Sequence, residues 1–497
     1  MDPASGVESR GGDVGTPTYA SEDWTESSKL ENADDSSAEW LAKSRHFLIL
    51  TRAGKPAWTR YGATHKLAPL CASLQTLLAV SETNLKDVFD PKSALQTVDA
   101  GGRRLVFLAT PTVVYVASSA LDEHENVLRG QLEYLKLAMT SLVTNAALET
   151  ALTRNTKFDV GRALSAAERG ELILGQTARD LSWDTSYVFD TYRTFAMPSS
   201  TRQTCALAVR EALGGVPKPF AGLVFSGDGR VGAYAKPKRH YPVTISPKDI
   251  IVLMNFIRVM RRGDGGDDDD AAKSGKASQR EVFSRVCLPS FNPNGFMYAY
   301  VSCLGIAAPD AAADGNTEHL GICLLTALPD AIEECRVARD ALMKRLAEKD
   351  VAESLALSAL KTMHLSTSVS EALNGLPDAS ESLLHFVYNR PAREQHVSST
   401  FSSEINRKDV KAIVRAYASM RASMNETKGV RDTGGAQRVR YEQRSKFNIL
   451  SCVGGDFEIY LVFKPTTSVT VAVGACNRLC VWLRVAEPEL FVPSPPV

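Results

Sequence analysis

The stretch FAGLVFSGDGRVGAYAKPKRHYPVTISPKDIIVLMNFI, residues 220–257, spells G-x-G-x-x-G with Gly227, Gly229 and Gly232. A dinucleotide fingerprint needs a helix directly after the third glycine, so that the helix N-terminus meets the pyrophosphate. Here Gly232 leads into AYAKPKRHYPV, where Pro237 and Pro242 exclude a helix and the alternation points to a strand. The glycines then serve a hairpin turn, which needs residues tolerant of positive φ. The helix comes later. Ser246 is the expected N-cap, Pro247 takes the first helical position and Asp249 the third, and Ile250, Met254 and Ile257 follow at helical spacing. The whole stretch reads strand, turn, strand, helix.

The same order occurs twice more. HFLILTRAGKPAWTRYG begins at His46 and leads into a helix with Thr64 as the expected cap and Leu67, Leu70, Leu74 and Leu78 as its apolar stripe. LLHFVYNRPAREQHVSSTFSSEINRKDVKAIVRAYASM begins at Leu383, with Asn406 as cap and Val410, Ile413, Tyr417 and Met420 as the stripe. Gly227-Asp228-Gly229 aligns with Ala53-Gly54-Lys55. Further strands follow each helix, and a last helix closes each unit, although Val469, Val471 and Val473 could instead extend a strand. Repetition of this kind decides architecture. The expected fold is α+β: three tandem domains, each a five-stranded, mainly antiparallel sheet flanked by helices. The boundaries are a disordered acidic tail at 1–43 and domains at 44–215, 216–378 and 379–497.

Composition narrows the function. The chain of 497 residues is 44% hydrophobic and has no net charge. Residues 1–40 hold ten acidic and two basic side chains, a net −8, so the remainder carries +8. The tail has few apolar anchors to offset its ordering entropy. Nine scattered cysteines without a C-x-x-C pair read as buried, reduced thiols. The Asp-rich run GDGGDDDD at 263–270 lacks the ligand alternation and closing Glu of a calcium loop. No P-loop, zincin, nucleophile-elbow or kinase pattern occurs. No uninterrupted apolar run reaches the length of a membrane span, so membrane work is expected to be peripheral. No catalytic residue, metal site, cofactor site or nucleic-acid contact is expected, which favours a binding protein over an enzyme.

Four segments resemble one family. HFLILTRAGKPAWTRYG (46–62), VCLPSFNPNGFMYAYVS (286–302), LLHFVYNR (383–390) and NRLCVWLRVAEPELFV (477–492) are similar, in order, to the SAND or Mon-one family of vacuolar fusion proteins. That resemblance spans roughly residues 44–495 and implies three longin domains. It also implies one subunit of a heterodimeric guanine nucleotide exchange factor. The implied partner is a Ccz-one-type three-longin protein, and the substrate a late-endosomal GTPase of Rab-seven type. The implied recruiters to late endosome or vacuole membrane are an early-endosomal Rab and phosphatidylinositol 3-phosphate. A longin-domain trafficking scaffold without exchange activity is the alternative. For the interface we single out Lys55, Trp58, Arg60, Tyr61 and Lys66 in the first hairpin and helix start, because Trp, Tyr and Arg anchor interfaces. The other reading is that Trp58 and Tyr61 pack within the module. For anionic lipid we single out Lys236, Lys238 and Arg239, against a lysine-protected strand edge as the other reading.

Overall fold

A computed structural model describes residues 30, 33–84, 95–155, 158–237, 245–261, 281–304, 320–349, 351–360, 369, 372–426 and 438–493. The Asp-rich run, Lys238, Arg239 and most of the acidic tail lie outside these residues. The first module comprises a short helix α1 (Ala38–Leu41), β1 (Arg45–Thr51), β2 (Pro56–Thr59), α2 (Ala68–Asn84), β3 (Thr97–Ala100), β4 (Arg103–Ala109), β5 (Val113–Ser119) and α3 (Glu125–Leu142). A connecting region follows, with α4 (Asn145–Arg154), α5 (Val160–Ala166), α6 (Gly170–Asp180), α7 (Ser186–Phe189), β6 (Tyr192–Arg193) and α8 (Ser199–Leu213). The second module comprises β7 (Pro219–Phe225), β8 (Val231–Ala235), α9 (Pro247–Arg261), β9 (Val282–Val286), β10 (Met297–Cys303), β11 (Gly321–Thr326), α10 (Ile332–Glu348) and α11 (Ala352–Leu360). The third comprises α12 (Pro377–Ser382), β12 (Leu383–Arg390), β13 (Gln395–Ser398), α13 (Arg407–Glu426), β14 (Arg438–Gln443), β15 (Asn448–Val453), β16 (Glu458–Phe463) and α14 (Val469–Leu490).

The three sheets share one topology. Their strand orders are β2-β1-β5-β4-β3, β8-β7-β11-β10-β9 and β14-β15-β16-β12-β13-β6. In each, the first strand of the module lies beside the last, and every pairing is antiparallel except that of β6 with β13. The third sheet therefore has six strands because the connecting region donates one.

The first turns are superimposable in their bonding. Thr51 N–H donates to Lys55 O at 2.9 Å and Gly54 N–H to Thr51 O at 2.9 Å; Ser226, Gly229 and Arg230 repeat both bonds at 2.9 Å. Gly54 has φ +79° and Gly229 φ +84°. Gly229 thus corresponds to Gly54, which shifts the sequence alignment by one residue. Gly232 serves a different need. A Cβ there would stand 2.4 Å from Phe195 Cζ, so the glycine admits the connecting region against β8. A strand follows Gly232, which settles the opening question against a dinucleotide loop.

Modules one and two share a single apolar core. Ile49, Trp58 and Tyr115 of the first sheet, Leu132 and Leu135 of α3, Ile173 of α6, Phe256 of α9 and Leu223 of the second sheet all belong to it. The outer face of the second sheet is covered by α8 and α10, and that of the first by α2. Residues 199–213, expected at the end of the first domain, instead pack on the second sheet through Cys205, Val209 and Leu213. The third sheet lies between α13 on one face and α12 with α14 on the other.

Two local expectations are corrected, and an alternative left open at the last helix is decided in favour of the helix. The tail does not remain loose up to residue 43: Leu30, Ala33 and Trp40 pack with Leu67, and Trp40 stacks on His46 at 3.7 Å. One tryptophan beside a strand anchors what acidic composition alone suggested was unfolded. Helix α2 begins at Ala68 rather than after Thr64, with a turn closed by Leu67 N–H to Ala63 O at 3.2 Å before it. Residues 469–473 are helical, capped by Ser468 Oγ accepting from Val471 N–H at 3.3 Å. Helix α14 is the one described helix long and apolar enough to cross a membrane. It lays Ala472, Ala475, Cys476, Leu479 and Leu483 on the third sheet and leaves Val481 and Val485 exposed.

Arg202, 1% exposed, ties the connecting region together. Its guanidinium donates to Gly232 O, Phe195 O and Glu489 O, each at 2.7 Å. Burial pulls its pKa down to about 10, so it stays charged at neutral pH. Arg202→Ala should cost about 3–5 kcal/mol, because carbonyls from three segments lose a charged donor. Urea denaturation measures it, and a loss below about 1 kcal/mol would show that the clamp is dispensable.

Burial also holds three histidines neutral: His46, His385 and His396 each have a pKa lowered to about 3. In the unfolded chain they titrate near 6.5. The unfolded state therefore takes up protons first, and stability falls as pH drops from about 6.5 toward 3. Between pH 7.5 and 5.5 the three together should remove roughly 4 kcal/mol. Denaturant midpoints at the two pH values test this; a flat profile would mean that the imidazoles reach water.

Candidate functional site

The residues singled out in the first hairpin do not form one surface. Trp58 is 7% exposed and lies in the core shared by modules one and two, so it packs within the fold and is no docking anchor. Arg60 Nη1 donates to Gly175 O of α6 at 2.8 Å, and its guanidinium lies 5.2 Å from the Tyr61 ring centre. Tyr61 is half-buried; the Lys43 ammonium sits over the same ring at 5.1 Å and His46 meets its edge at 6.0 Å. Lys55 Nζ pairs with Asp159 Oδ2 at 2.7 Å, both about half exposed. That bond, helped by Arg162 N–H, holds the Asp159 carboxyl below its ordinary range. An ion pair this exposed contributes little stability. Lys66 is exposed. Lys236 directly follows β8 and is half-buried, and burial lowers its pKa; the other two residues of that basic arm, Lys238 and Arg239, are outside the described residues.

Among the described residues, the face of the first module that remains open is the outer side of α2. Cys71, Leu74 and Leu78 point to the sheet, whereas Leu77 and Val80 are 40% and 50% exposed. The sequence signal was present in the pair Leu77-Leu78: two adjacent leucines on a helix cannot both face one sheet. Beside α2, β3 is an edge strand with Asp99 and Ala100 exposed. The opposite edge, β2, is covered by α5. An apolar helix face next to an open strand edge suits a second protein better than it suits a small molecule. Among the described residues, no group of three His, Cys, Asp or Glu side chains converges to hold a metal.

The segment at 286–302 has a structural task. Asp249, fully buried on α9, accepts Ser290 N–H and Phe291 N–H, both at 2.9 Å. Burial raises its pKa, and these two donors oppose the shift. The same turn reaches the first module, where Cys287 N–H donates to Ser141 O at 3.1 Å and Asn145 N–H to Pro293 O at 2.9 Å. It fixes the angle between modules one and two.

Comparison with known proteins follows this architecture. The first longin domain of FUZ, MON1 and HPS1 matches residues 45–170, and the third longin domain of the same proteins matches residues 382–487. The "Vacuolar fusion protein MON1 homolog" of Oryza sativa is 29% identical, over 94% of this chain and 78% of its own length. The likeness of this chain is to the MON1/SAND family.

Further proteins of that family are similar to this chain along its length. The homologue of Arabidopsis thaliana is 27% identical over 94% of this chain and 72% of its own. Homolog A of Homo sapiens is 26% identical over 97% of this chain and 66% of its own. Among solved structures, a bacteriophytochrome from R. palustris covers 85% of this chain and 83% of its own at 12% identity; with a TM-score of 0.15 it carries no argument.

Trp58→Ala in this protein should cost about 3–5 kcal/mol, read from the thermal or urea midpoint. A loss below about 1 kcal/mol would return Trp58 to the surface.

Proposed function

We propose that this longin-domain trafficking protein of the vacuolar fusion family is one subunit of a heterodimeric guanine nucleotide exchange factor for a late-endosomal Rab-seven-type GTPase. The observation that carries the reading is the α2–β3 face of the first module, with Leu77 and Val80 exposed beside a strand edge that no described residue pairs. Its occupant is the first module of a Ccz-one-type partner, and the composite platform binds the GTPase. The chain performs no covalent chemistry. Exchange requires that the pair bind the nucleotide-free GTPase more tightly than the loaded one, because only differential affinity displaces the equilibrium. GDP and magnesium belong to the GTPase, and opening its first switch releases both. An early-endosomal Rab and phosphatidylinositol 3-phosphate on an anionic membrane bring the pair to the late endosome or vacuole. Lys236 with its basic arm and the +8 body supply charge of the required sign.

The test is release of fluorescent GDP from the GTPase, with the chain alone and with its partner. Acceleration is expected only for the pair. Leu77→Asp with Val80→Asp should reduce co-purification and exchange at least tenfold while the melting temperature changes little. GTP-state binding without acceleration would replace the reading with that of a scaffold. Undiminished pairing of the double variant would move the interface elsewhere.

A further inference from the structure

Helices α3 and α13, from the first and third modules, face each other across a cleft of about 350 Å³. Small side chains keep it open. Gly130 on α3 and Ala418 and Ala422 on α13 line it, and a Cβ at Gly130 would find no atom within 4 Å. This volume lies in the range of small-ligand sites.

Charge around the cleft is unbalanced. Of its cations, Arg45 is engaged by Glu123 at 2.5 and 3.0 Å, and Arg421 by Asp190 at 3.1 Å. Lys411 has the Trp183 ring under its ammonium at 4.8 Å and no carboxylate among the described residues. Arg415 makes no hydrogen bond or ion pair among the described residues. Burial lowers its pKa, Glu123 opposes that shift, and Arg45 and Arg444 add to it. Two positive charges are thus left over. A phosphomonoester carries about −1.5 to −2 at pH 7 and matches them. A third feature selects further. Gln131 is only 8% exposed, lines the cleft, and its Oε1 has no partner. A buried acceptor of this kind calls for a donor, which the ionised phosphate of a monoester does not supply and a hydroxyl does.

We propose that the α3–α13 cleft binds a small phosphorylated polyol, with its phosphate between Lys411 and Arg415 and a hydroxyl donating to Gln131 Oε1. The site is independent of the exchange reading and distinct from the Lys236 arm. The ligand is either a free metabolite or the headgroup of a lipid; the chemistry is shared.

The full chain is titrated calorimetrically with inositol 1-phosphate, inorganic phosphate and unphosphorylated inositol. Inositol 1-phosphate should bind at least tenfold more tightly than phosphate, and inositol not measurably. Arg415→Gln should weaken binding at least tenfold and Lys411→Gln several-fold. Ala418→Phe, which fills the cleft, should abolish it. Gln131→Leu should narrow the gap between inositol 1-phosphate and phosphate. Flotation with vesicles of phosphatidylcholine, with and without phosphatidylinositol phosphate, assigns the source. Vesicle binding competed by the soluble probe means a headgroup, and soluble binding alone means a metabolite. No soluble binding by the unaltered chain, or binding indifferent to Arg415→Gln, overturns the proposal; that variant carries the test should Ala418→Phe not fold.

Discussion

The structure depends on the chain between Gln176 and Arg202, which is shared by all three modules. Its apolar side chains alternate between cores. Leu181 and Tyr192 enter the core of modules one and two, Phe189 enters the third module, and Phe195 and Met197 enter the outer core of the second. Its backbone closes two sheet edges at once, since Tyr192 and Arg193 pair with β13 and Thr194 bridges to Val231 of β8. An edge strand left unpaired invites aggregation. Here one short segment covers an edge of two sheets and sets their distance.

Polar groups fix the orientation that burial alone leaves undetermined. Asp180, fully buried, accepts from Arg258 Nη1 and Gln176 Nε2, each at 2.7 Å. Burial would raise the Asp184 pKa, but Arg193 and Arg258 outweigh it and hold the carboxyl below its usual range. Asp190, with φ +56°, accepts from Tyr134 of the first module at 3.0 Å and from Arg421 of the third at 3.1 Å, and it lies 3.5 Å from Lys248 of the second. Buried ion pairs add little net stability over apolar contacts of the same shape, but they penalise every other arrangement. Such a network therefore defines one packing of three similar modules that could otherwise pair in several ways.

This hub is also what sequence reading could not reach. The strand–turn–strand–helix units were legible because apolar periodicity and turn chemistry are local. Gly54 and Gly229 announce a positive φ, and Leu74 and Leu78 announce a buried helix face. The connecting region has neither signal. Asp180, Asp184, Arg193 and Arg202 look like surface residues until partners from distant strands surround them. Gly232 belongs to both classes: its place in a glycine pattern was visible, but its task depends on Phe195, which only the fold brings near. Trp58 failed as an interface candidate for the converse reason. Residue type alone does not say on which side of an edge strand a side chain points, whereas pairing of Ile49 with Trp58 places both in the shared core. The open side of the first module followed only once the sheets had been stacked, and Leu77 and Val80 then stood out.

The two joints between modules differ in kind, and the difference bears on function. Modules one and two are joined by continuous apolar packing, reinforced by the Asp249 turn, so they behave as one body. The third module meets the first through α13, Arg421 and the linker, with a polar cleft between the helices. Apolar interfaces tolerate substitutions that keep volume and apolarity, but directional polar joints fail when one donor is removed. Variation is therefore least tolerated at Asp190, Arg202 and Arg421, although none of them lies on the face proposed for the partner. Changes at such positions would alter the presentation of the first module's open face without touching it, which separates the residues that build the platform from those that would meet its ligand.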